Sequence, residues 1–266
     1  MKRAVILAFV FLSSANAVLA VAADFQILAV EEPPTSCRDA AGRPEGLAVD
    51  IVHAIQKRLG NRDAVQILPE VRALDIASRS SNVVLLGFSR IPEREDFYYW
   101  ILPYLRKPWV LYAREGTAST LHTLADAKSL ESIGVVRKDV REFYLEQLGF
   151  SNLARVANHT QNIKKALAGR ISMFAYDPVG LGYACRQLDI AAHTFQPVLV
   201  LKTSDVYIMM SRQGTRPATA DQWRDAAQGL KEDGTLDRIA RKWAERVAAE
   251  IGITGAVHDG VLWFSP

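Results

Sequence analysis

An arginine-bearing loop at residues 87–94 is the strongest chemical signal in the sequence. It follows an apolar strand-like run and contains Gly87, Ser89, Arg90 and Arg94. A guanidinium beside a hydroxyl at the end of a strand can take a carboxylate bidentately, which a lysine cannot. Arg94 is therefore a candidate anion contact, with Ser89 and Gly87 as neighbouring candidates. The alternative is a solvated loop whose arginines pair with the adjacent acids.

The N-terminus has the organisation of a secretion signal. Lys2 and Arg3 precede an apolar segment at residues 4–12, which is too short to span a bilayer comfortably, and small residues follow it. The sequence predicts a signal peptide at residues 1–23 and an exported, periplasmic protein. An uncleaved anchor is the alternative.

Composition excludes several classes of protein. Removal of Lys2 and Arg3 lowers the formal net charge from +3 to +1, so nucleic acid is not the expected partner. With 49% hydrophobic residues the chain can build a packed core, which excludes disorder. The histidines are scattered and no catalytic signature is present, so we expect no metal, no cofactor and no catalytic residue. Whether Cys37 and Cys185 pair is open, because disulfide geometry cannot be read from sequence.

Strand and helix patterns alternate along the chain in two blocks. The βαβαβ order is typical of a mainly parallel α/β sheet with helices on both faces. The predicted strands cover residues 25–30, 64–68, 83–88, 109–113, 132–136, 153–156, 171–176, 198–202 and 206–211. The predicted helices cover residues 47–59, 72–78, 140–148, 162–168, 179–188 and 218–249, the last interrupted at Gly234 with Thr235 as a new N-cap.

Two such blocks, with the first resumed at the C-terminus, predict two lobes joined by two crossover segments. Lobe 1 is expected at residues 24–113 and 203–266, and lobe 2 at residues 114–202. Ligands in such architectures lie between the lobes, at the carboxyl ends of the strands. The tail at residues 251–266 is interpreted as a surface extension of lobe 1.

A series of short motifs resembles one protein family. GLAVD at residues 46–50 resembles "G-F-x-V-D", and IPER at 91–94 stands where the family has "T-P-E-R". WILPY at 100–104 resembles "F-S-x-P-Y", residues 169–177 resemble "G-R-x-D-A-x-x-x-D", and KEDGTLDRIARKW at 231–243 resembles the terminal "x-x-D-G-T-x-x-x-I-x-x-K-W". The chain is thus similar to the type II periplasmic solute-binding proteins of family 3, the polar amino acid receptors of ABC transporters.

This resemblance implies a clamp for a zwitterionic ligand. In that family the arginine of "T-P-E-R" grips the ligand α-carboxylate, which corresponds to Arg94, and Ser89 matches the small polar contact five positions earlier. The last acid of "D-A-x-x-x-D" takes the ligand ammonium, which corresponds to Asp177. The implied protein is a monomeric receptor that captures a small carboxylate-bearing solute, an amino acid or related compound, by hinge closure. Its implied partner is an inner-membrane ABC permease.

The sequence departs from the family pattern at several positions. Lys138, Asp139 and Val140 replace a "G-S-T" loop whose backbone N–H groups bind the carboxylate. Asp139 either caps its own helix or contacts the ligand, and Lys138 could meet an extra anionic group. Ile91 replaces a threonine and Ser172 an acid.

Other side chains are open between a role in the cleft and a structural one. Glu32 could line the cleft or be a loop acid, and Arg72 could be a second cleft cation or a helix-surface charge. Trp100 and Tyr104 are expected to pack within a lobe, and Trp243 has the spacing of a core residue on an amphipathic helix.

An enzyme on the same fold, such as a cyclohexadienyl-type dehydratase, is the alternative function. It would need a general acid that faces the cleft with a raised pKa, and the candidates are Glu32, Glu70 and Asp177. None lies in a catalytic signature, so the sequence favours binding over catalysis.

Overall fold

A computed structural model describes residues 24–117 and 121–265. The signal peptide expected at residues 1–23 lies outside the described residues. Among the residues that are described, no helix has both the length and the apolar character needed to cross a membrane.

Strands and helices follow one another in the order expected from the sequence. The strands are β1 (Gln26–Ala29), β2 (Cys37–Arg38), β3 (Pro44–Glu45), β4 (Val65–Ile67), β5 (Val83–Ser89), β6 (Tyr98–Arg114), β7 (Ile133–Val136), β8 (Leu153–Val156), β9 (Met173–Tyr176), β10 (Phe195–Ser211), β11 (Gly255–His258) and β12 (Val261–Phe264). The helices are α1 (Leu47–Leu59), α2 (Glu70–Arg79), α3 (Leu124–Lys128), α4 (Val140–Gln147), α5 (His159–Leu167), α6 (Pro178–Gln187), α7 (Pro217–Glu232) and α8 (Thr235–Ile251), with 3-10 turns η1 (Pro92–Arg94) and η2 (Ala192–Thr194).

Two long antiparallel strands, β6 and β10, form the spine of the molecule. They pair from Tyr98 opposite Ser211 to Arg114 opposite Phe195. The sheet order is β4-β1-β5-β10-β6-β9-β7-β8, with parallel pairing among β4, β1 and β5 and among β9, β7 and β8. Lobe 1 is built on the first trio and lobe 2 on the second, and β6 and β10 run through both as the two crossover segments. This confirms the predicted α/β fold.

The long strands exceed the short ones predicted at 109–113, 198–202 and 206–211. Pro103 and Pro108 interrupt β6, and β10 shifts register at several points, including between Pro197 and Leu199. Proline cannot donate to a ladder and a bulge breaks the alternation of side chains, so neither strand shows a continuous pattern in sequence. The lobe boundaries expected at residues 113 and 202 fall inside these strands.

Helices cover both faces of the sheet in each lobe, as predicted. In lobe 1, α1, α7 and α8 bury Trp223 and Trp243 against one face, while α2 packs on the other through Ala73. In lobe 2, α4 buries Leu145 on one face and α5 buries Ile163 on the other. Because each lobe has its own apolar core, the charged groups between them belong to a cleft rather than to a core.

Two of the sequence motifs meet in space at the start of α1. Gly46 precedes this helix with φ 149°, and a Cβ there would clash with the carbonyl oxygen of Thr35, so only glycine fits. Asp50 accepts hydrogen bonds from Trp243 Nε1 and Lys242 Nζ, both at 2.8 Å. The motifs at residues 46–50 and 231–243 therefore fasten α1 to α8.

Several side chains whose role the sequence left undecided, or predicted to be packing, lie within lobe 1. Tyr104 is fully buried, and Trp100 lies edge-on to Tyr207 with ring centroids 5.3 Å apart, so both pack within lobe 1 as expected. Arg72 is an exposed charge on α2. The expected N-cap role of Thr235 is wrong, because Gly234, at φ 73°, occupies the cap position and Thr235 is the first helical residue.

Both cysteines are free thiols. Cys37 is half-buried in lobe 1, with its Sγ 3.8 Å from Glu45 Oε1, and Cys185 is buried in the core of lobe 2. Burial raises the pKa of the Cys37 thiol to about 11, and the carboxylate of Glu45 adds to this effect. No disulfide restrains the two lobes within the described residues.

The C-terminal hairpin, β11 and β12, is part of the core of lobe 1 rather than a surface extension. Strand β12 pairs parallel with β6 through Leu262 opposite Leu105, and Leu262 and Phe264 are buried with the other core residues. Lobe 1 thus depends on residues at the end of the chain.

We expect Leu262→Ala to lower the free energy of unfolding by about 2–5 kcal/mol, because it leaves a cavity under β6. Urea denaturation measures this loss. The control is Val71→Ala, at a side chain that is 54% exposed, which should change stability by less than about 0.5 kcal/mol. Equal effects from the two variants would show that the hairpin does not support the core.

Candidate functional site

Two cavities lie between the lobes and share Glu32, Glu70, Asp139 and Arg141 in their linings. The outer one is an open cleft of about 990 Å³, which is within the range of small-molecule sites. The inner one measures about 30 Å³, roughly the volume of one water molecule. The inner cavity is lined by Glu32, Glu70, Gly87, Ser89, Arg94, Lys107, Trp109, Asp139, Val140, Arg141 and Val206.

Arg94 is fixed at the inner cavity by the turn η1. Pro92 begins this turn, and the backbone N–H of Arg94 donates to the Ile91 carbonyl at 3.0 Å. Its guanidinium donates to the Ser89 carbonyl at 3.2 Å and to Glu70 Oε1 at 3.1 Å, with the side chain 10% exposed. Arginine has five N–H donors, so this group retains hydrogen-bonding capacity for a ligand.

Arg90 has a different environment from Arg94. Its guanidinium pairs with both carboxylate oxygens of Glu95, at 2.7 and 3.0 Å, and lies 5.3 Å from the Trp100 ring centroid. The solvated-loop interpretation thus describes Arg90, while Arg94 turns inward with Ser89, which is 7% exposed. Gly87 also lines the inner cavity, with φ 97°.

Glu70 is the ion-pair partner of Arg94 and opens helix α2. Its side chain is 35% exposed, so it faces the cleft as well as Arg94. Burial raises the pKa of the Glu70 carboxyl; the Arg94 guanidinium opposes this rise, while the carboxylates of Asp139 and Glu32 add to it. The sequence indicates Glu70 only as a candidate general acid. Its pairing with Arg94 could not be predicted, because it depends on how α2 packs against the sheet.

A buried ionic network lies at the base of the cleft around Asp177. This carboxylate is fully buried; Oδ2 accepts from Lys107 Nζ at 3.0 Å and from Arg141 Nη1 at 3.1 Å. Oδ1 accepts from the backbone N–H of Gly180 at 2.9 Å, which caps α6. Lys107 also pairs with Glu32, which lines the cleft. The ammonium contact expected for Asp177 stays a prediction, and a ligand would have to displace Lys107 or Arg141 to make it.

Asp177, Lys107 and Arg141 are held in their charged forms in the folded protein. Burial on its own would lower the pKa of Lys107, but Asp177 and Glu32 outweigh it and the pKa is raised. Burial would likewise raise the pKa of Asp177, but Lys107 and Arg141 hold it below its usual range. A buried charge is tolerated only when it is paired and hydrogen-bonded, and here each charge has such partners.

Asp139 caps its own helix, as one interpretation of the sequence proposes. Its Oδ1 accepts from the backbone N–H of Arg141 at 2.8 Å, and both carboxylate oxygens bind the Arg141 guanidinium, at 2.7 and 2.6 Å. Burial opposes ionisation of Asp139, yet Arg141 and His159 hold its pKa well below the usual range. The His159 ring stacks on Tyr176 at 3.7 Å, and burial lowers the pKa of its imidazole.

Sequence reasoning missed three cleft residues: Lys107, Arg141 and His159. Lys107 and its neighbour Arg106 interrupt the apolar run of β6, which was an available signal, and Arg141 is the second residue of α4, after the N-cap Asp139 and Val140. His159 was set aside as one of several scattered histidines, yet it lines the outer cleft. Lys138, by contrast, is exposed and lies outside the lining of both cavities, so its contact with a ligand stays a prediction.

The two lobes also touch on either side of the cleft. Gln147 at the end of α4 donates to Glu93 in η1, and Tyr183 Oη in α6 donates to Glu250 Oε2 in α8 at 2.8 Å. These side-chain contacts join the two lobes directly.

Both the sequence and the fold of this chain are similar to those of known proteins. Residues 27–246 match the profile of the bacterial extracellular solute-binding proteins, family 3. A comparison with curated protein sequences finds no significant match. Three solved structures with this architecture are 17% to 21% identical to the chain, and at that level structural likeness establishes the fold alone.

Three solved structures illustrate the likeness. A histidine kinase sensor domain with similarity to periplasmic binding proteins is 17% identical, with a TM-score of 0.72 over 82% of this chain and 95% of that one. An ancestral arginine-binding protein bound to arginine is 21% identical, with a TM-score of 0.68 over 82% and 97%. The solute receptor for L-cysteine of Neisseria gonorrhoeae is 17% identical, with a TM-score of 0.69 over 89% and 95%.

We expect Lys107→Met to destabilise the protein by about 3 kcal/mol. The substitution removes the ammonium group that pairs with the carboxylates of Asp177 and Glu32 in a buried site. Urea denaturation of this variant is compared with Lys57→Met, an exposed lysine on α1, which should be nearly neutral. The double variant with Asp177→Asn should lose less than the sum of the single losses, since the two groups interact. Strict additivity would contradict the ion pair.

Proposed function

The chain belongs to the bacterial extracellular solute-binding proteins, family 3, and on that premise we propose that it is a periplasmic receptor for a small carboxylate-bearing solute. The solute is an amino acid or a related compound, captured by hinge closure and delivered to an inner-membrane ABC permease. The receptor acts as a monomer and without a cofactor. One observation carries the proposal: a buried, immobilised guanidinium, that of Arg94, at the inner end of the cleft.

The surroundings of Arg94 support a carboxylate site. The turn η1 and the Ser89 carbonyl fix the guanidinium before any ligand arrives, so little conformational entropy is lost on binding. Charge-assisted bidentate pairs between arginine and carboxylate are among the strongest hydrogen-bonded contacts in proteins. Ser89 and Gly87 complete the lobe 1 side of this site in the proposal.

Hinge closure follows from where the charged groups are attached. Arg94 and Glu70 belong to lobe 1, Asp139 and Arg141 to lobe 2, and the strands β6 and β10 connect the lobes. A ligand that touches both sides makes its full set of contacts only when the lobes approach, and it therefore shifts the population toward the closed state. In the proposal Asp177 keeps Lys107 of β6 and Arg141 of α4 in a fixed arrangement during this movement.

The ligands of two of the neighbouring structures support an amino acid as the solute. These proteins bind arginine or serve as receptors for L-cysteine. The outer cleft shares Glu70 and Arg141 with the lining of the inner cavity, so in the proposal a solute whose carboxylate binds Arg94 extends its remaining atoms toward the outer cleft.

A dehydratase-type enzyme is the second candidate, and one observation favours it. Glu70 is a cleft-facing carboxyl with a raised pKa, which is the property that a general acid requires. Its pairing with Arg94 equally suits a binding site, so the presence of this acid does not by itself indicate turnover.

We expect Arg94→Ala to weaken binding of the solute by roughly two to three orders of magnitude, because truncating one member of a desolvated charge pair costs about 2–5 kcal/mol. A thermal-shift screen over amino acids, organic acids and amines identifies the solute through stabilisation of the folded state, and calorimetry then measures affinity. The matched control is Arg90→Ala, which removes a surface arginine and should bind normally. Unchanged affinity in Arg94→Ala would contradict the proposal.

We expect cyclohexadienyl carboxylates to remain chemically unchanged when incubated with the protein, because a receptor releases its ligand intact. Chromatographic analysis of the mixture measures any product, with a protein-free sample as control. Product formation that disappears in Glu70→Gln would support the enzyme instead.

A further inference from the structure

The carboxylate expected to receive a ligand ammonium is already occupied by cations of the protein itself. Asp177 is fully buried, and its oxygens bind Lys107, Arg141 and the Gly180 N–H. The ammonium of Lys107 therefore lies where the ammonium of an amino acid is expected. Displacing it would leave the buried ammonium of Lys107 with Glu32 as its remaining carboxylate partner, and losing one partner of a buried charge is costly.

Glu70 has what Asp177 lacks, an accessible carboxylate at the ligand site. It is 35% exposed, it lines both cavities, and among the described residues its ion-pair partner is Arg94. Glu32 is less available, because it is 25% exposed and pairs with the buried ammonium of Lys107. Glu70 is the first residue of α2, and its side chain is partly exposed to the cleft. The side chain therefore has space to rotate and to turn its carboxylate toward a ligand.

We propose that Glu70, rather than Asp177, receives the ammonium of an α-amino acid whose carboxylate binds Arg94. This rests on the proposed function, and it assigns the solute class through a residue outside the motifs that resemble the family. In the Arg94–Glu70 ion pair, Arg94 Nη2 lies 3.1 Å from Glu70 Oε1, so a cation and a carboxylate stand side by side. The head group of an amino acid has the complementary arrangement and can insert between them, giving each charge a new partner.

The balance of charge favours this class of solute over a plain carboxylate. The groups at the inner cavity include three cations, Arg94, Lys107 and Arg141, and three carboxylates, Glu32, Glu70 and Asp139. The buried carboxylate of Asp177 beneath them adds a further negative charge. A plain carboxylate would bring another anion next to Glu70, whereas a zwitterion adds no net charge. Uncompensated charge is expensive in a partly desolvated site.

The raised pKa of Glu70 predicts that binding of amino acids depends on pH. The raised pKa of this carboxyl means that it gains a proton at higher pH than an ordinary glutamate, and a protonated Glu70 cannot form an ion pair with an ammonium. Affinity for amino acids should therefore fall as pH decreases through this pKa. Arg94, Asp139 and Glu32 face Glu70, and His159 lies beyond Asp139, so a matched variant is needed to assign the effect.

The experiment uses the full exported chain and a panel of standard L-amino acids, each paired with its deaminated carboxylic acid. Affinities are measured by calorimetry for wild type, Glu70→Gln and Asp177→Asn, across the pH range in which the amino acids stay zwitterionic. We expect Glu70→Gln to weaken amino acid binding by about 10- to 100-fold, to spare or improve binding of the deaminated acids, and to lose the pH dependence. Asp177→Asn should lower thermal stability and leave the ratio of the two affinities unchanged.

Other results would overturn the inference. They are an unchanged affinity ratio in Glu70→Gln, loss of discrimination in Asp177→Asn alone, or wild-type protein that prefers the deaminated acids. In each of these cases Arg94→Ala still tests the receptor function separately, because it should abolish binding of both ligand classes. If no member of the panel binds wild-type protein, both this inference and the amino acid receptor are wrong.

Discussion

The buried carboxylate of Asp177 is the constraint on which the arrangement of the cleft depends. It caps α6, pairs with Lys107 from the spine strand β6, and pairs with Arg141 from α4, so one anion joins three elements at the junction of the lobes. Because an uncompensated charge there would be costly, each partner is held in a narrow range of positions. Arg141 in turn fixes Asp139, and Lys107 fixes Glu32, which defines the walls of the inner cavity.

The Arg94–Glu70 pair is of a different kind, because it lies toward the cleft and can exchange partners. Both groups belong to lobe 1, and both line the inner cavity. The cleft therefore contains one ionic group, around Asp177, that is fully buried, and another, Arg94–Glu70, that is partly exposed to the cleft and that we propose as the recognition site. This division explains how a densely charged cleft can retain a site for a small solute without unsatisfied buried charge.

Much of the fold was predictable because local physics specifies it. Helix α1 was predicted at its observed ends, since apolar spacing marks its buried face and Gly60 ends it in the left-handed conformation. The full length of β6 and β10 was not predictable, because prolines and bulges hide a continuous strand whose pairing partner is about a hundred residues away. The role of the C-terminal hairpin depends in the same way on long-range pairing with β6.

The sequence by itself determined the two-block α/β order and the ordered motifs, and it predicted Arg94 as the carboxylate contact, because spacing and residue type are local properties. The tertiary structure alone decided which charges meet. Lys107, Arg141 and Asp177 are far apart in sequence, and only the crossing of β6 between the lobes brings them within hydrogen-bond distance. Whether a carboxylate is free or already paired depends on such non-local neighbours, and for that reason Asp177 and Glu70 could not be distinguished before the fold was known.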